Sequence, residues 1–128
     1  MSKKIIIIDD DPDVVQSMRI VLEKEGYNII TASNGREGLE KIRKDKPNLI
    51  LLDIMMTTKD EGFQTAYELR GDDALKDIPI VMITSVGQIT GFEFNKDKDG
   101  DFIPADEFVE KPVRPKQLLD IVRKNLGG

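Results

Sequence analysis

Four short apolar runs in this chain each give way to polar side chains, and that repeated pattern limits the folds open to it. Ile5 to Ile8 ends at Asp9-Asp10-Asp11, Asn48 to Leu52 at Asp53 and Ile78 to Ile83 at Thr84, while Phe108-Val109 precedes Glu110-Lys111. Runs this short and this aliphatic are expected of strands buried on both faces of a parallel sheet. Tyr27 to Thr31 reads as a further strand. Helices fit between them. Asp11-Pro12 supplies an N-cap and a proline at the first helical position, Val14, Val15, Met18, Val21 and Leu22 form one apolar face, and Gly26 ends it. Ser33-Asn34-Gly35 opens a second helix, with Leu39 and Ile42 inward and Pro47 beyond its end. Phe63 to Arg70 reads as a third, and a last helix starts at Pro115 with Leu118, Leu119, Val122 and Leu126 inward. The alternation predicts a doubly wound α/β fold with a parallel sheet, one domain over residues 1–128.

One link breaks the pattern. A helix is due after Ile83, but Gly87, Gly91, Asn95, Gly100 and Pro104 follow, so that helix is expected to be shortened or replaced by an acidic loop. The net charge of −5 is concentrated there: Glu93 to Glu110 holds seven acids and two bases, and the remainder balances 17 against 17. No basic stripe appears, so direct nucleic-acid binding is not expected. The four-residue apolar run near the start is too short for a secretory core or a membrane span, which points to a cytoplasmic chain without membrane insertion. The absence of histidine and cysteine excludes a Ser-His-Asp engine, thiol catalysis and thiolate metal sites. Carboxylate, hydroxyl and lysine remain, and they suit a hard, oxygen-loving cation.

In open α/β sheets, ligands sit outside the carboxyl ends of the strands. The predicted fold therefore gathers Asp9, Asp10, Asp53, Thr84 and Lys111 into one cleft. Taken singly, each has an ordinary structural role: acids after strands cap helices and form turns, and a lysine before proline is a solvated charge. As a set they make one chemical sense. Three converging carboxylates repel unless a cation neutralises them, and Mg²⁺ takes such ligands while bridging to phosphate. Asp53 fits a carboxylate nucleophile toward phosphorus, Asp9 and Asp10 fit the metal, and Thr84 and Lys111 fit donors to the phosphoryl oxygens.

With these residues assembled, the chain resembles the response-regulator receiver domains of two-component signalling. The matching stretches are Ile5 to Pro12, Leu49 to Met56, Pro79 to Ser85 and Phe108 to Pro112. The resemblance implies a five-stranded, flavodoxin-like sheet in the order 2-1-3-4-5. It implies phosphorylation of Asp53 from a phosphohistidine of a histidine kinase or phosphotransfer protein, and slow self-dephosphorylation rather than enzymatic turnover. Asp9, Asp10, Asp53 and the Met55 carbonyl then hold Mg²⁺, with Mn²⁺ as a substitute. Thr84 and Phe108 form the switch that alters a protein-interaction surface, and Lys111 contacts the phosphoryl group. Output goes to a partner protein, unless the domain was excised from a longer chain. Three departures stand out: Thr57 replaces the family's usual proline, the loop Thr57 to Gly62 is about one residue longer than the family's, and Val86 to Ala105 differs most.

Within that acidic segment, Asn95 to Asp106 has the glycine of an EF-hand calcium loop at its sixth position, but asparagine first, aspartate twelfth and Pro104 inside. A solvated acidic turn is the simpler reading. The main alternative function is a haloacid-dehalogenase-like phosphatase with Asp9 as nucleophile and Asp11 as acid. It lacks a late acidic metal pair, because Asp120 is the only acid after Lys111. A module that is never phosphorylated is the other alternative, and it leaves the full acid–Thr–Lys set unexplained.

Overall fold

Ile5 to Ile8 lie wholly out of solvent inside β1 (Lys4–Ile8), an interior strand of the sheet in the computed structural model. The structure describes residues 3–53, 59–84, 106–110 and 113–126. Chain order continues α1 (Pro12–Lys24), β2 (Asn28–Ala32), α2 (Gly35–Asp45), β3 (Leu49–Asp53), α3 (Lys59–Arg70), β4 (Ile80–Thr84), β5 (Glu107–Glu110) and α4 (Pro115–Leu126). The strands lie in the order β2-β1-β3-β4-β5, every pair parallel.

Side-chain alternation divides the core between two faces. Ile6, Ile8, Ile50, Leu52, Ile80 and Met82 meet Leu39 and Ile42 of α2 and Ala66 and Leu69 of α3. Ile5, Ile7, Leu49, Leu51, Val81, Ile83 and Val109 meet Met18 and Leu22 of α1 and Leu118 and Val122 of α4. Each such aliphatic residue contributes roughly 1.5–3 kcal/mol by leaving water, which is why these runs carry no polar residue until they end.

The helix starts follow their local chemistry. Asp11 caps α1, its Oδ1 accepting from the Asp13 N–H at 3.0 Å and the Val14 N–H at 3.4 Å, with Pro12 at the first position. Gly26 takes φ 94°, the left-handed geometry that ends a helix at little cost to glycine. Gly38 serves a different need: a Cβ there would overlap Ile8, 2.9 Å from Cγ1 and nearer still to Cδ1. Its bare backbone lets α2 close onto β1. Gly38→Ala is expected to destabilise the chain by about 1–2 kcal/mol despite alanine's better helix propensity, read as a lower urea midpoint at unchanged slope.

Several boundaries differ from the sequence reading. α3 begins at Lys59 rather than Phe63, so Lys59 to Gly62 are helical and not part of a loop. β2 ends one residue later than expected, on Ala32, which pairs with Ile8, while β3 and β4 end at Asp53 and Thr84, the polar residues expected to close them. Leu75, in the turn between α3 and β4, is buried although nothing periodic marked it. Val86 to Ala105, where a shortened helix or acidic loop is expected, lies outside the described residues, as do Thr57 and Thr58. Among the described residues no helix is long and apolar enough to cross a membrane.

Candidate functional site

All five strands run the same way, so their carboxyl ends share one edge of the sheet. Ile8 pairs with Leu52, which sets Asp9 beside Asp53, and Asp53 in turn pairs with Ile83 of β4. Asp9 continues the ladder one step past β1, its N–H donating to the Ala32 carbonyl at 3.0 Å. Its Oδ1 accepts from the Asp11 N–H at 2.9 Å, which turns the chain into α1. Asp9 and Asp53 are each 2% exposed, while Asp10 faces solvent. One carboxylate oxygen from each of Asp9, Asp10 and Asp53 lies within 4.8 Å of the others.

Three like charges this close, two of them buried, are a costly arrangement without a counter-ion. An all-oxygen donor set of which Asp10 is exposed suits Mg²⁺, which keeps part of its water shell and takes phosphate oxygens. The residues present therefore fit that ion. Of the other expected site residues, Thr84 ends β4 one position past the partner of Asp53, and Phe108 sits inside β5 opposite Met82. Met55 and Lys111 lie outside the described residues.

The phosphatase alternative does less well here. Asp11, its acid, is used as the N-cap of α1, and Asp10 rather than Asp11 joins the cluster.

Sequence reading missed the flank of the site. A cleft of about 460 Å³ runs from Asp9 and Asp10 past Gln16 and Arg19 to Ser33, Glu37 and Lys41. Asn34 caps α2 by accepting the Glu37 N–H at 2.8 Å, and Glu37 reaches back to the Ser33 N–H at 2.8 Å and hydroxyl at 2.9 Å. Lys41 donates to the Thr31 carbonyl at 2.6 Å and pairs with Glu37 at 3.2 Å. Asn34 three residues before Glu37 is a legible capping signal, but that Ser33 and Glu37 share a cleft with Asp10 depends on tertiary folding.

The Ser33 backbone N–H, then its hydroxyl, then Lys41, lower the Glu37 pKa from 4.5 to about 2. A depressed carboxylate adds stability above its unfolded pKa and loses it as pH falls through the folded value. Wild type is thus expected to exceed Glu37→Gln in stability at pH 7, with the gap narrowing from about pH 4.5 toward pH 2. Urea unfolding of both proteins across that range measures it, and a gap independent of pH contradicts it.

Comparison with known proteins gives one consistent result. The sequence profile of the response regulator receiver domain matches residues 5–123. Alkaline phosphatase synthesis transcriptional regulatory protein PhoP of Bacillus subtilis is 36% identical over 118 residues, covering 92% of this chain and 46% of that protein. The chain spans about half the length of the curated relatives it matches. Two solved structures are similar throughout. Chemotaxis response regulator CheY4 of Vibrio cholerae has a TM-score of 0.82 at 27% identity, covering 98% of this chain and 100% of that one. A CheY-like response regulator receiver domain protein from Methanospirillum hungatei has 0.81 at 29% identity, with 99% and 95% covered.

Proposed function

The chain belongs to the response regulator receiver domain family, and from that membership we propose that Asp53 is its phosphoacceptor. Receiver domains act as phosphoacceptors in two-component signalling. The observation that carries the assignment to Asp53 is the convergence of its carboxylate with those of Asp9 and Asp10 at the carboxyl edge of the sheet.

In the proposed reaction an Asp53 oxygen attacks the phosphorus of a phosphohistidine on a histidine kinase or phosphotransfer protein. A P–O bond forms, the P–N bond breaks, and the leaving imidazole nitrogen takes a proton from solvent. Mg²⁺ or Mn²⁺, when bound by Asp9, Asp10, Asp53 and the Met55 carbonyl, neutralises charge that otherwise opposes the anion's approach. Lys111 and the Thr84 hydroxyl donate to the phosphoryl oxygens, the electrostatic support that phosphoryl transfer needs most. Water later attacks the phosphorus, returning the Asp53 carboxylate and inorganic phosphate. The cycle is a timed switch and not turnover of a substrate.

Thr84 and Phe108 are the proposed switch pair, carried on adjacent strands. The helix due after β4 is proposed to be shortened or replaced by an acidic loop over Val86 to Ala105, on its glycine and proline content. That change alters the surface beside the switch. The changed surface passes the signal to an output protein, or to a further domain as the regulator names of the relatives suggest. We place the chain in the cytoplasm, without direct nucleic-acid contact by this domain.

Intact mass spectrometry after incubation with acetyl phosphate tests the metal requirement. One phosphoryl adduct is expected with Mg²⁺ or Mn²⁺ and none after chelation. An adduct of equal yield without a divalent ion contradicts the assigned role of the acid cluster.

A further inference from the structure

β5 joins the sheet after residues 85–105, is four residues long and lies on an edge. Its sequence, Glu107-Phe108-Val109-Glu110, puts two apolar residues side by side, so hydrophobic alternation specifies its register weakly. A slip of one residue would exchange the faces of every side chain and move the strand by roughly 3.3 Å along the sheet. Something else must fix the first rung.

That rung is built at the amino edge of the sheet by two charged residues far apart in sequence. The Asp106 N–H donates to the Ile80 carbonyl at 2.8 Å, and Asp106 Oδ2 accepts from the Ile80 N–H at 2.8 Å. The same carboxylate oxygen accepts from Arg70 Nη2 at the end of α3. Arg70 Nη1 donates to the carbonyls of Lys76 at 2.6 Å and Ile78 at 2.9 Å. One guanidinium thus ties α3, the turn into β4 and the residue before β5, a task its planar fork performs and an ammonium does not. A second pair, Lys124 to Glu107 at 2.8 Å, holds the next residue to α4. Asp106, the twelfth position of the calcium-loop-like stretch, therefore has one carboxylate oxygen engaged in the sheet.

We infer that Arg70 and Asp106 are positioning residues for phosphoryl transfer: they set the register of β5 against β4, and with it the point at the carboxyl edge from which the chain continues to Lys111. The inference rests on the reading of Asp53 as phosphoacceptor. The clamp stands three residues along the strands from the Asp53 rung, roughly 10 Å at about 3.3 Å per residue, so it touches no reacting atom.

Arg70→Ala, Asp106→Ala and the double variant of the full chain test this through two readouts. These are the rate of adduct formation from acetyl phosphate at saturating Mg²⁺, and the Mg²⁺ concentration giving half the thermal shift. Each single variant is expected to slow phosphorylation on the order of 10- to 100-fold, as small misplacements at reacting centres do. The double variant is expected to be no slower than the slower single one, because both remove the same rung. Mg²⁺ half-saturation stays unchanged, since Asp9 and Asp10 follow β1 and Asp53 ends β3, away from the clamp.

A lowered melting temperature with a wild-type rate in the folded protein overturns the inference, and so does a parallel loss of Mg²⁺ affinity. Should the alanine variants fail to fold, Arg70→Lys keeps the charge and loses the fork; slower phosphorylation supports the inference and a wild-type rate overturns it. A wild-type chain that gains no adduct removes the Asp53 reading together with this one. Phosphorylation of wild type and variants at equal rates removes the clamp's role alone.

Discussion

Asp9→Asn is expected to make the metal-free protein more stable than wild type and to abolish most of its stabilisation by Mg²⁺. Both effects come from one feature. Asp9 is 2% exposed and shares a 4.8 Å cluster with Asp10 and Asp53, so removing its charge relieves repulsion in the metal-free state. The same change removes a ligand. A ligand that binds only the folded state stabilises it by RT ln(1 + [L]/Kd), about 2.7 kcal/mol at a hundredfold excess over Kd. Wild type is expected to show a rise of that order at saturating Mg²⁺, and Asp9→Asn little at the same concentration. Phosphorylation from acetyl phosphate is expected to fall at least about 100-fold, the scale seen when one electrostatic partner of a transition state is lost. Thermal or urea unfolding with and without Mg²⁺ reads the first pair of effects. A variant less stable than wild type without metal, yet equally responsive to Mg²⁺, contradicts this account of the cluster.

The largest effect on folding itself is expected at Leu51. It is fully buried in β3, on the face covered by α1 and α4, two residues before Asp53. Leu51→Ala loses the transfer free energy of the missing atoms and leaves a cavity that the packed strand cannot collapse, for a cost of about 2–5 kcal/mol. A domain of this size has only about 5–15 kcal/mol in all, so the urea midpoint is expected to fall far below wild type at similar slope. Ile20 is the comparison: it is 55% exposed on α1, and Ile20→Ala is expected to stay within about 0.5 kcal/mol. Equal losses at the two positions contradict the burial described for β3.

The contrast between these residues shows what was legible in the sequence. Ile5 to Ile8 and Asn48 to Leu52 announced buried strands because runs this short and this aliphatic, closed by polar residues, suit a parallel sheet covered on both faces. Asp11-Pro12 and Asn34 announced helix starts because capping is decided within a few residues. Asp9, Asp10 and Asp53 could be placed together once parallel strands were inferred, since the fold itself brings carboxyl ends to one edge. Less local features stayed hidden. β2 ran on to Ala32 through its pairing with Ile8, past the expected end at Thr31. Leu75 is buried because the turn folds back under α3, and a lone leucine in a polar stretch has no period to reveal it. The Arg70–Asp106 link spans 36 residues and serves the backbone of a third element, so nothing in the sequence joined the two residues. The acidic surplus showed a similar division. Two of its members, Asp106 and Glu107, are paired with Arg70 and Lys124 at the sheet, whereas Asp106 was expected to belong to a solvated turn.

The central claim is that one carboxylate, at the end of β3, receives the phosphoryl group. Intact mass measurement of wild type and Asp53→Asn after incubation with acetyl phosphate and Mg²⁺ tests it most directly. The account predicts a single phosphoryl adduct on wild type, slowly lost in buffer, and none on Asp53→Asn. An adduct on Asp53→Asn at the wild-type yield would contradict it.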